Sequence, residues 1–153
     1  FDPISISAGA VESKLTLVSM GNPHAVIYAE APEAVDLASV GRRFEHHPVF
    51  EQRINLHLVR VDDDSAITMR TWERGSGITQ ACGTGACAAC VAGVLGGRHA
   101  GSVVATLPGG DLTLSWAGGD AQVRMTGPAV EVYELEFDPR DLEGWSGERM
   151  GQK

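Results

Sequence analysis

The segment 84–95 limits the possible folds more than any other part of the chain. Its residues are small and apolar on every side of a helix, and Gly96 and Gly97 end the pattern. A helix that is apolar all round is buried, and glycine is typical of the position just after a helix. The sequence therefore predicts a central helix enclosed by other elements.

The other segments read mostly as short strands, which would form the enclosing sheet. Residues 55–61 alternate apolar and polar side chains, as a half-buried strand does, and an acidic turn separates them from a returning run at 66–72. These two runs predict a hairpin. A second helix is predicted over 35–44, and further strands are predicted over 15–20, 25–28, 102–107, 112–116, 121–126 and 129–137. The predicted fold class is α+β, with a sheet around a buried helix.

Charge and composition exclude several classes of partner. The 153 residues include 12 Lys and Arg against 20 Asp and Glu, which gives a net charge of −8. A sequence-independent nucleic-acid surface needs clustered basic residues, so no nucleic-acid partner is predicted. The longest apolar helical run is far shorter than the ~20 residues of a membrane span, so no membrane partner is predicted. Residues 138–153 read as a polar tail.

The three cysteines lie within nine positions of one another. An odd number so closely spaced is a poor disulfide framework and favours a reducing cytoplasm. The C-x4-C-x2-C spacing of Cys82, Cys87 and Cys90 is found among iron–sulfur ligands, but a fourth cysteine is missing and the segment enters an alanine-rich helix. We therefore predict no metal site, and we read Cys87 and Cys90 as core residues.

Cys82 is the residue for which the sequence most strongly predicts a chemical role. It directly precedes Gly83, Thr84 and the predicted helix, so its sulfur would meet the free N–H groups and positive dipole end of that helix. Such a position stabilises a thiolate and can also hold an anion such as a carboxylate. Cysteine is more often a small buried hydrophobe, but the polar residues before Cys82 favour an exposed turn. The sequence predicts a reactive sulfur beside an acid-binding cradle.

Glu73 and Arg74 lie at the end of a predicted strand, just before Gly75. A solvated surface pair is the common alternative for such residues. Here the glycine turn would direct both side chains toward Cys82. Arg74 could then bind a carboxylate through its two N–H groups, and Glu73 could hold an ammonium group or relay a proton.

A second polar cluster surrounds His24. A hydrogen-bonded turn histidine is the ordinary alternative, but Cys and His also form working catalytic pairs. Asn22 and Asn55 carry amide donors and acceptors that suit an amino-acid head group. The remaining histidines have no comparable setting and are read as structural: His46, His47, His57 and His99.

Four motifs together resemble the C-terminal half of the diaminopimelate epimerases, a family of cofactor-independent amino-acid racemases. They are GNPH at 21–24, NLHLV at 55–59, WERGSG at 72–77 and TQACGTGAC at 79–87. The resemblance covers nearly all of residues 14–137 and implies two similar halves, each a curved mixed or antiparallel sheet wrapped around a central helix. Residues 1–137 would be one catalytic half-domain. One departure is Ile78, where the family usually has Glu.

The resemblance also implies roles for the site residues. Cys82 would be one of two catalytic thiols that exchange the α-proton, assisted by His24 and Glu73. Gly83 and Thr84 would bind the α-carboxylate through backbone N–H groups. Four side chains would contact the substrate: Asn22, Asn55, Glu73 and Arg74.

The implied reaction interconverts LL- and meso-diaminopimelate, in lysine and peptidoglycan precursor biosynthesis, without pyridoxal phosphate. That cofactor needs a Schiff-base lysine, and neither Lys14 nor Lys153 lies in a candidate pocket, so no cofactor is predicted. The second thiol would come from an N-terminal half-domain that this chain lacks, and the isolated chain is expected to be inactive. A homodimer in the cytoplasm is also implied.

Two alternatives of other kinds stay open at this stage. The chain could belong to a related racemase for another amino acid, such as histidine, proline or hydroxyproline. It could also be an inactive half-domain that binds or dimerises. A comparison of substrates with the full-length protein would separate the racemases, and the reactivity of Cys82 would identify an inactive module, which needs no activated thiol.

Overall fold

The computed structural model describes residues 4–8 and 11–138, and within them a mixed sheet packs against two helices. The strand order is β1-β2-β3-β4-β5-β7-β8-β9, with β6 paired to β5. Pairs β3/β4 and β5/β7 are parallel, and the other pairs are antiparallel. The strands are β1 (Ile4–Ala8), β2 (Val11–Ser19), β3 (Pro23–Tyr28), β4 (Asn55–Asp63), β5 (Ala66–Glu73), β6 (Gly77–Thr79), β7 (Ser102–Leu107), β8 (Gly110–Ser115) and β9 (Arg124–Thr126).

The two helices lie in the crossovers that the parallel pairs require. Helix α1 (Leu37–Glu45) connects β3 to β4 after a short 3-10 turn (Pro32–Ala34), and α2 (Gly83–Leu95) lies between β5 and β7. The α+β class and the mixed sheet predicted from the sequence are therefore confirmed, as is the 55–61/66–72 hairpin.

Helix α2 is the predicted central helix. It contacts β2, β3, β4, β7, β8 and β9, and the middle of the helix, from residue 85 to residue 93, is almost entirely buried. Its alanines and glycines let the strands come close; a Cβ atom at Gly85 would overlap the His57 ring. The strand residues that form this core with α2 are Val26, Val59, Ile67, Met69, Val103, Ala105, Leu107, Leu114 and Trp116.

Helix α1 covers the opposite face of the sheet. Asp36 caps it by accepting a hydrogen bond from the Ser39 N–H at 3.2 Å. Phe44 is fully buried, and Gly41 leaves the space that the Trp72 ring occupies. The side chains in this second core are Leu15, Ala25, Ile27, Leu37, Phe44, Ile54, Leu56, Leu58 and Trp72. Successive residues of β3, β4 and β5 therefore face α1 and α2 in turn, as strand geometry requires.

Three sequence predictions differ from the structure. Strand β9 covers only Arg124–Thr126 of the predicted 121–126, and the short β6 was not predicted. The predicted strand 129–137 is wrong: these residues form no regular element and pair with no strand of the described part. Its alternating side chains fit a strand, but a strand also needs a partner for its N–H and C=O groups. The predicted tail lies outside the described residues after Asp138.

Neither helix in the described ranges has the length and hydrophobicity that crossing a bilayer requires.

Candidate active site

Four chain segments meet at the N-terminus of α2. The start of β3 lies beside the start of β4, with His24 in register with Asn55. The end of β5 supplies Glu73, and the turn before α2 supplies Cys82. Since His24, Glu73 and the central helix share one face of the sheet, the topology brings together residues that are up to 62 positions apart.

Cys82 is the N-cap residue of α2. Its carbonyl oxygen accepts the Ala86 N–H at 2.9 Å, and its Sγ lies 3.7 Å from the Thr84 hydroxyl. The first N–H groups of a helix have no partner within the helix, so those of Gly83 and Thr84 form a cradle for an anion. Cys82 is only 7% exposed, whereas Thr84 is exposed. The sulfur thus lies just below an open helix end, among polar groups.

The ionisation of Cys82 differs from the sequence expectation. Burial raises the pKa of the thiol, and the nearby Glu73 carboxylate raises it further, while the Thr84 hydroxyl and the Gly85 N–H lower it. The balance is upward, opposite to the lowering that the helix N-terminus alone predicts. The helix end lies where the sequence predicted it, but the predicted exposed turn is wrong, because the sulfur is buried; the reactivity of Cys82 stays a prediction.

The side chains of Glu73 and Arg74 leave the same strand end in different directions. The Glu73 carboxylate faces the site and accepts a hydrogen bond from the Thr79 hydroxyl at 2.6 Å. Arg74 is exposed and donates to the Gln52 carbonyl oxygen at 2.7 Å. Its charge still lies close enough to His24 to lower the pKa of that ring. The structure thus places Glu73 beside the sulfur and the Arg74 guanidinium at the margin.

Asn55 is buried and holds two strand ends together. Its side-chain amide nitrogen donates to the Pro23 carbonyl at 2.8 Å, and its amide oxygen accepts a hydrogen bond from the backbone N–H of Arg74 at 3.0 Å. One N–H of the amide remains available for a further bond. Contact between Asn55 and a substrate stays a prediction, and the structure gives this residue a definite role in positioning the turn at Arg74.

His24 is fully buried and contacts a residue on each side. Its Nε2 lies 2.9 Å from the Asn22 amide oxygen, and its Nδ1 lies 2.8 Å from His57 Nε2. Burial lowers the pKa of His24 to about 4, Glu73 acts in the opposite sense, and Arg74 adds to the lowering. His24 is therefore a neutral imidazole at pH 7. Asn22 continues the contact toward the helix, with its amide nitrogen 3.5 Å from the Thr84 hydroxyl.

His57 belongs to the same cluster, although the sequence alone predicts a structural role for it. Its Nδ1 lies 3.0 Å from the Thr71 hydroxyl, and its pKa falls to about 3 through burial and the neighbouring His24. One signal was available: His57 interrupts an apolar strand at a position whose side chain must face the central helix.

Ile78 does not lie beside the sulfur. It pairs with Trp72 across β5 and β6, whereas Thr79 pairs with Thr71. Directly opposed residues of an antiparallel pair share a face, so the Ile78 side chain lies on the Trp72 side of the sheet. Cys87 and Cys90 are buried in the core, as predicted, with their pKa values raised by burial.

Comparison with known proteins gives a consistent result. The profile of the family described as "Diaminopimelate epimerase" matches residues 16–132. The diaminopimelate epimerase of Azotobacter vinelandii is 49% identical over 84% of this chain and 47% of its own length. That of Acetivibrio thermocellus is 48% identical over 92% of this chain and 50% of its own length. The chain therefore spans about half the length of the curated relatives it matches.

Two solved structures share the fold at low sequence identity. A probable proline racemase from Agrobacterium radiobacter, with bound carbonate, superposes with a TM-score of 0.58 and 14% identity, over 74% of this chain and 41% of that protein. A hydroxyproline epimerase from Agrobacterium vitis, with bound trans-4-hydroxy-L-proline, gives 0.56 and 16%, over 76% and 40%. These likenesses establish the fold only.

Proposed function

Since this chain belongs to the diaminopimelate epimerase family, we propose that it supplies one half of an active site that interconverts LL- and meso-diaminopimelate. The observation that carries the proposal is a single thiol, Cys82, at the N-terminus of α2, with Glu73 and the Asn22–His24 pair around it. The reaction would serve lysine and peptidoglycan precursor synthesis.

The chemistry needs two thiols because the α-proton of an amino acid is weakly acidic. A thiolate on one face of the α-carbon removes the proton, and a thiol on the other face returns one, which inverts the centre. Burial and the Glu73 carboxylate raise the pKa of Cys82. These influences favour the protonated form of Cys82, which suits it to return a proton, with a thiolate from the other half-domain as the base in that direction of the reaction.

The surrounding groups suit a zwitterionic substrate. The free N–H groups of Gly83 and Thr84 would hold the α-carboxylate and stabilise charge that spreads onto it as the proton leaves. Glu73 accepts a hydrogen bond from the Thr79 hydroxyl and has further lone pairs for an ammonium group. His24, as a neutral ring, can support a proton transfer but supplies no positive charge.

A second half-domain would complete the site. Cys87 and Cys90 are buried in the core, so neither can reach a substrate at Cys82 from the opposite face. Asn22 is partly exposed and Thr84 is exposed, whereas α-proton exchange needs a site closed to water. Five large hydrophobic side chains of the segment 129–137 are more than half exposed, and they offer a surface for that half-domain: Val130, Val132, Tyr133, Leu135 and Phe137.

A homodimer in the cytoplasm is part of the proposal. All three cysteines are free thiols, which suits a reducing compartment. Light scattering on the purified protein would test the dimer.

The proposed function is tested by deuterium exchange. The chain is joined to the N-terminal half of the Azotobacter vinelandii epimerase and incubated with LL-diaminopimelate in D2O. Cys82→Ala should slow deuterium incorporation at the α-carbon by at least about 100-fold, the scale of a lost acid–base group. Cys87→Ala, a matched removal of a core thiol, should retain most of the activity. Equal activity of the two variants would contradict the role of Cys82. Deuterium incorporation into proline instead of diaminopimelate would show that the substrate is a different amino acid.

A further inference from the structure

We infer that His57 is a positioning residue: it fixes which nitrogen of His24 carries the proton, and through it aims the hydroxyl of Thr84 at the Cys82 sulfur. Nothing in the family resemblance assigns His57 a role, and the inference is made from contacts alone. It deepens the proposed function, on which its consequence for proton exchange rests.

The hydrogen-bond pattern around His24 allows one assignment. Its Nε2 faces the Asn22 amide oxygen at 2.9 Å, and an oxygen of this kind only accepts. Nε2 therefore carries the proton. A neutral imidazole has a single N–H, so Nδ1 of His24 is an acceptor. It lies 2.8 Å from His57 Nε2, which must then be the donor.

The same reasoning continues to Thr71. Because His57 donates through Nε2, its Nδ1 is an acceptor in the neutral ring. The Thr71 hydroxyl, 3.0 Å away, donates to it. Both rings are neutral because burial opposes a positive charge, and a second proton on His24 Nδ1 would in addition face the N–H of His57 Nε2; the pKa values of about 4 and about 3 agree. The charged groups nearest to His24, Glu73 and Arg74, act in opposite senses.

The same direction of hydrogen bonding continues from His24 to the Cys82 sulfur. With the Asn22 oxygen held by His24, its NH2 group is directed toward the Thr84 oxygen at 3.5 Å. That oxygen then accepts, and when Cys82 is a thiolate, which can only accept, the Thr84 hydrogen points at Sγ, 3.7 Å away. A thiolate is stabilised by such a donor. With Cys82 in this form, every donor from Thr71 to Thr84 points the same way, toward the sulfur.

His57 lies in a fully buried and closely packed position. Its ring lies against Gly85, where any Cβ atom would overlap it. A polar side chain that is fully buried and directly beneath the first turn of α2 is expensive unless both nitrogens are bonded. Both are, and one of the two bonds goes to the histidine that borders the candidate site.

The test reads the protonated nitrogen directly. The 153-residue chain is labelled with 15N-histidine, and two-bond 1H–15N spectra assign each ring at pH 7. In the unsubstituted chain His24 should be protonated only at Nε2. His57→Leu, which removes the donor, should give a mixture of His24 tautomers and slow alkylation of Cys82 by iodoacetamide several-fold. His57→Gln, whose amide can donate to His24, should restore both readouts.

A second variant keeps the test valid if His57→Leu fails to fold. Thr71→Val is nearly isosteric and removes only the hydroxyl that fixes the His57 tautomer, so it should broaden the tautomer distribution of both rings. The inference is overturned if His24 is protonated at Nδ1 in the unsubstituted chain, or if neither variant changes the His24 spectrum. A correct tautomer in a chain whose completed site exchanges no α-proton would overturn the proposed function and leave this inference standing.

Discussion

At the scale of single residues, Cys82 is subject to opposing influences that the structure separates. Burial and Glu73 keep the proton on the sulfur, whereas the Thr84 hydroxyl and the Gly85 N–H favour its release. A catalytic thiol that must both give and take a proton needs a pKa that small changes can shift across the working range. The Thr84 hydroxyl is the side-chain donor nearest to the sulfur, so it is the natural residue to vary.

Thr84→Val should raise the pKa of Cys82 further and slow its alkylation at pH 8 several-fold, because the only change is the loss of a donor to the thiolate. Thr84→Ser keeps the hydroxyl and is the matched control, with a rate close to that of the unsubstituted chain. Mass spectrometry of the peptide that contains Cys82 measures the rate without interference from the two buried thiols. If the Val and Ser variants react equally fast, the hydroxyl does not act on the sulfur.

Ile78→Glu should leave Cys82 unchanged, because this side chain lies on the Trp72 face of the sheet. Ile78 is 48% exposed, so the substitution should change the free energy of unfolding by no more than about 0.5 kcal/mol. Thr79→Val, on the opposite face, removes the donor to Glu73 and should alter the alkylation rate. A large effect of Ile78→Glu on Cys82 would show that the side chain reaches the site after all.

At the scale of elements, a buried carboxylate connects α1 to the strand that supplies Glu73. Glu45 lies at the end of α1 and is only 3% exposed; it accepts the Trp72 indole N–H at 2.7 Å and the Gly75 N–H at 3.0 Å. Burial opposes its ionisation, but these donors and Arg53 together lower the pKa of the carboxyl. The carboxylate therefore fixes the turn just after Glu73 and Arg74.

Glu45→Gln should destabilise the chain by about 1–3 kcal/mol at pH 7, since an amide NH2 would face one of the two N–H donors of Trp72 and Gly75. Because the folded pKa lies below the unfolded value, the stabilisation by Glu45 is present above the unfolded pKa of about 4.3 and is lost as the pH falls through the folded pKa. Urea unfolding followed by tryptophan fluorescence should therefore show the two proteins converging in acid. Arg53→Gln removes an ion pair whose arginine is 54% exposed, and it should cost less than about 1 kcal/mol. A difference in stability between Glu45→Gln and the unsubstituted chain that persists in acid would contradict the assignment.

The elements that the sequence predicted well are those whose pattern has one physical meaning. Segment 84–95 is apolar all round, and only burial explains it. The 55–61 alternation correctly predicts a strand, but the prediction that it is half-buried is wrong, because residues 55–59 are all buried, with side chains in both cores. The segment 129–137 has an equally good strand pattern, yet it forms no strand, because alternation does not reveal whether a partner strand is present. The three residues of β6 are too few to give a periodic signal.

The candidate site was predicted less evenly, and the reason is geometric. Cys82, Glu73, His24 and Asn22 do lie together, since their motifs end at strand or helix termini that meet. His57 and Glu45 were missed because a lone histidine in a strand, or an acid near a helix end, is more often structural or solvated. Their importance depends on burial and on partners 14 to 33 positions away, which no local pattern contains.

At the scale of the whole molecule, the proposal makes the described residues one wall of a site. The Cys82 sulfur lies just below an open edge, and the segment 129–137 carries apolar side chains into solvent, with Val132 and Leu135 exposed by 85% and 70%. A group of exposed large apolar side chains suits a surface for another protein part. Both features are explained if a half-domain, equivalent to the portion of the relatives that this chain does not span, packs over the α2 N-terminus and beside this segment.

The isolated chain should therefore fold but exchange no α-proton of LL-diaminopimelate in D2O, and a separately expressed N-terminal half from the Acetivibrio thermocellus relative should restore exchange. Val132→Ser with Leu135→Ser should leave the thermal midpoint of the isolated chain unchanged, because these side chains are already in water, yet weaken the restoration several-fold. Glu131→Gln, an exposed polar neighbour on the same segment, should affect neither readout. Turnover by the isolated chain would show that one thiol suffices, and full restoration with the serine variant would mean that the second half-domain docks elsewhere.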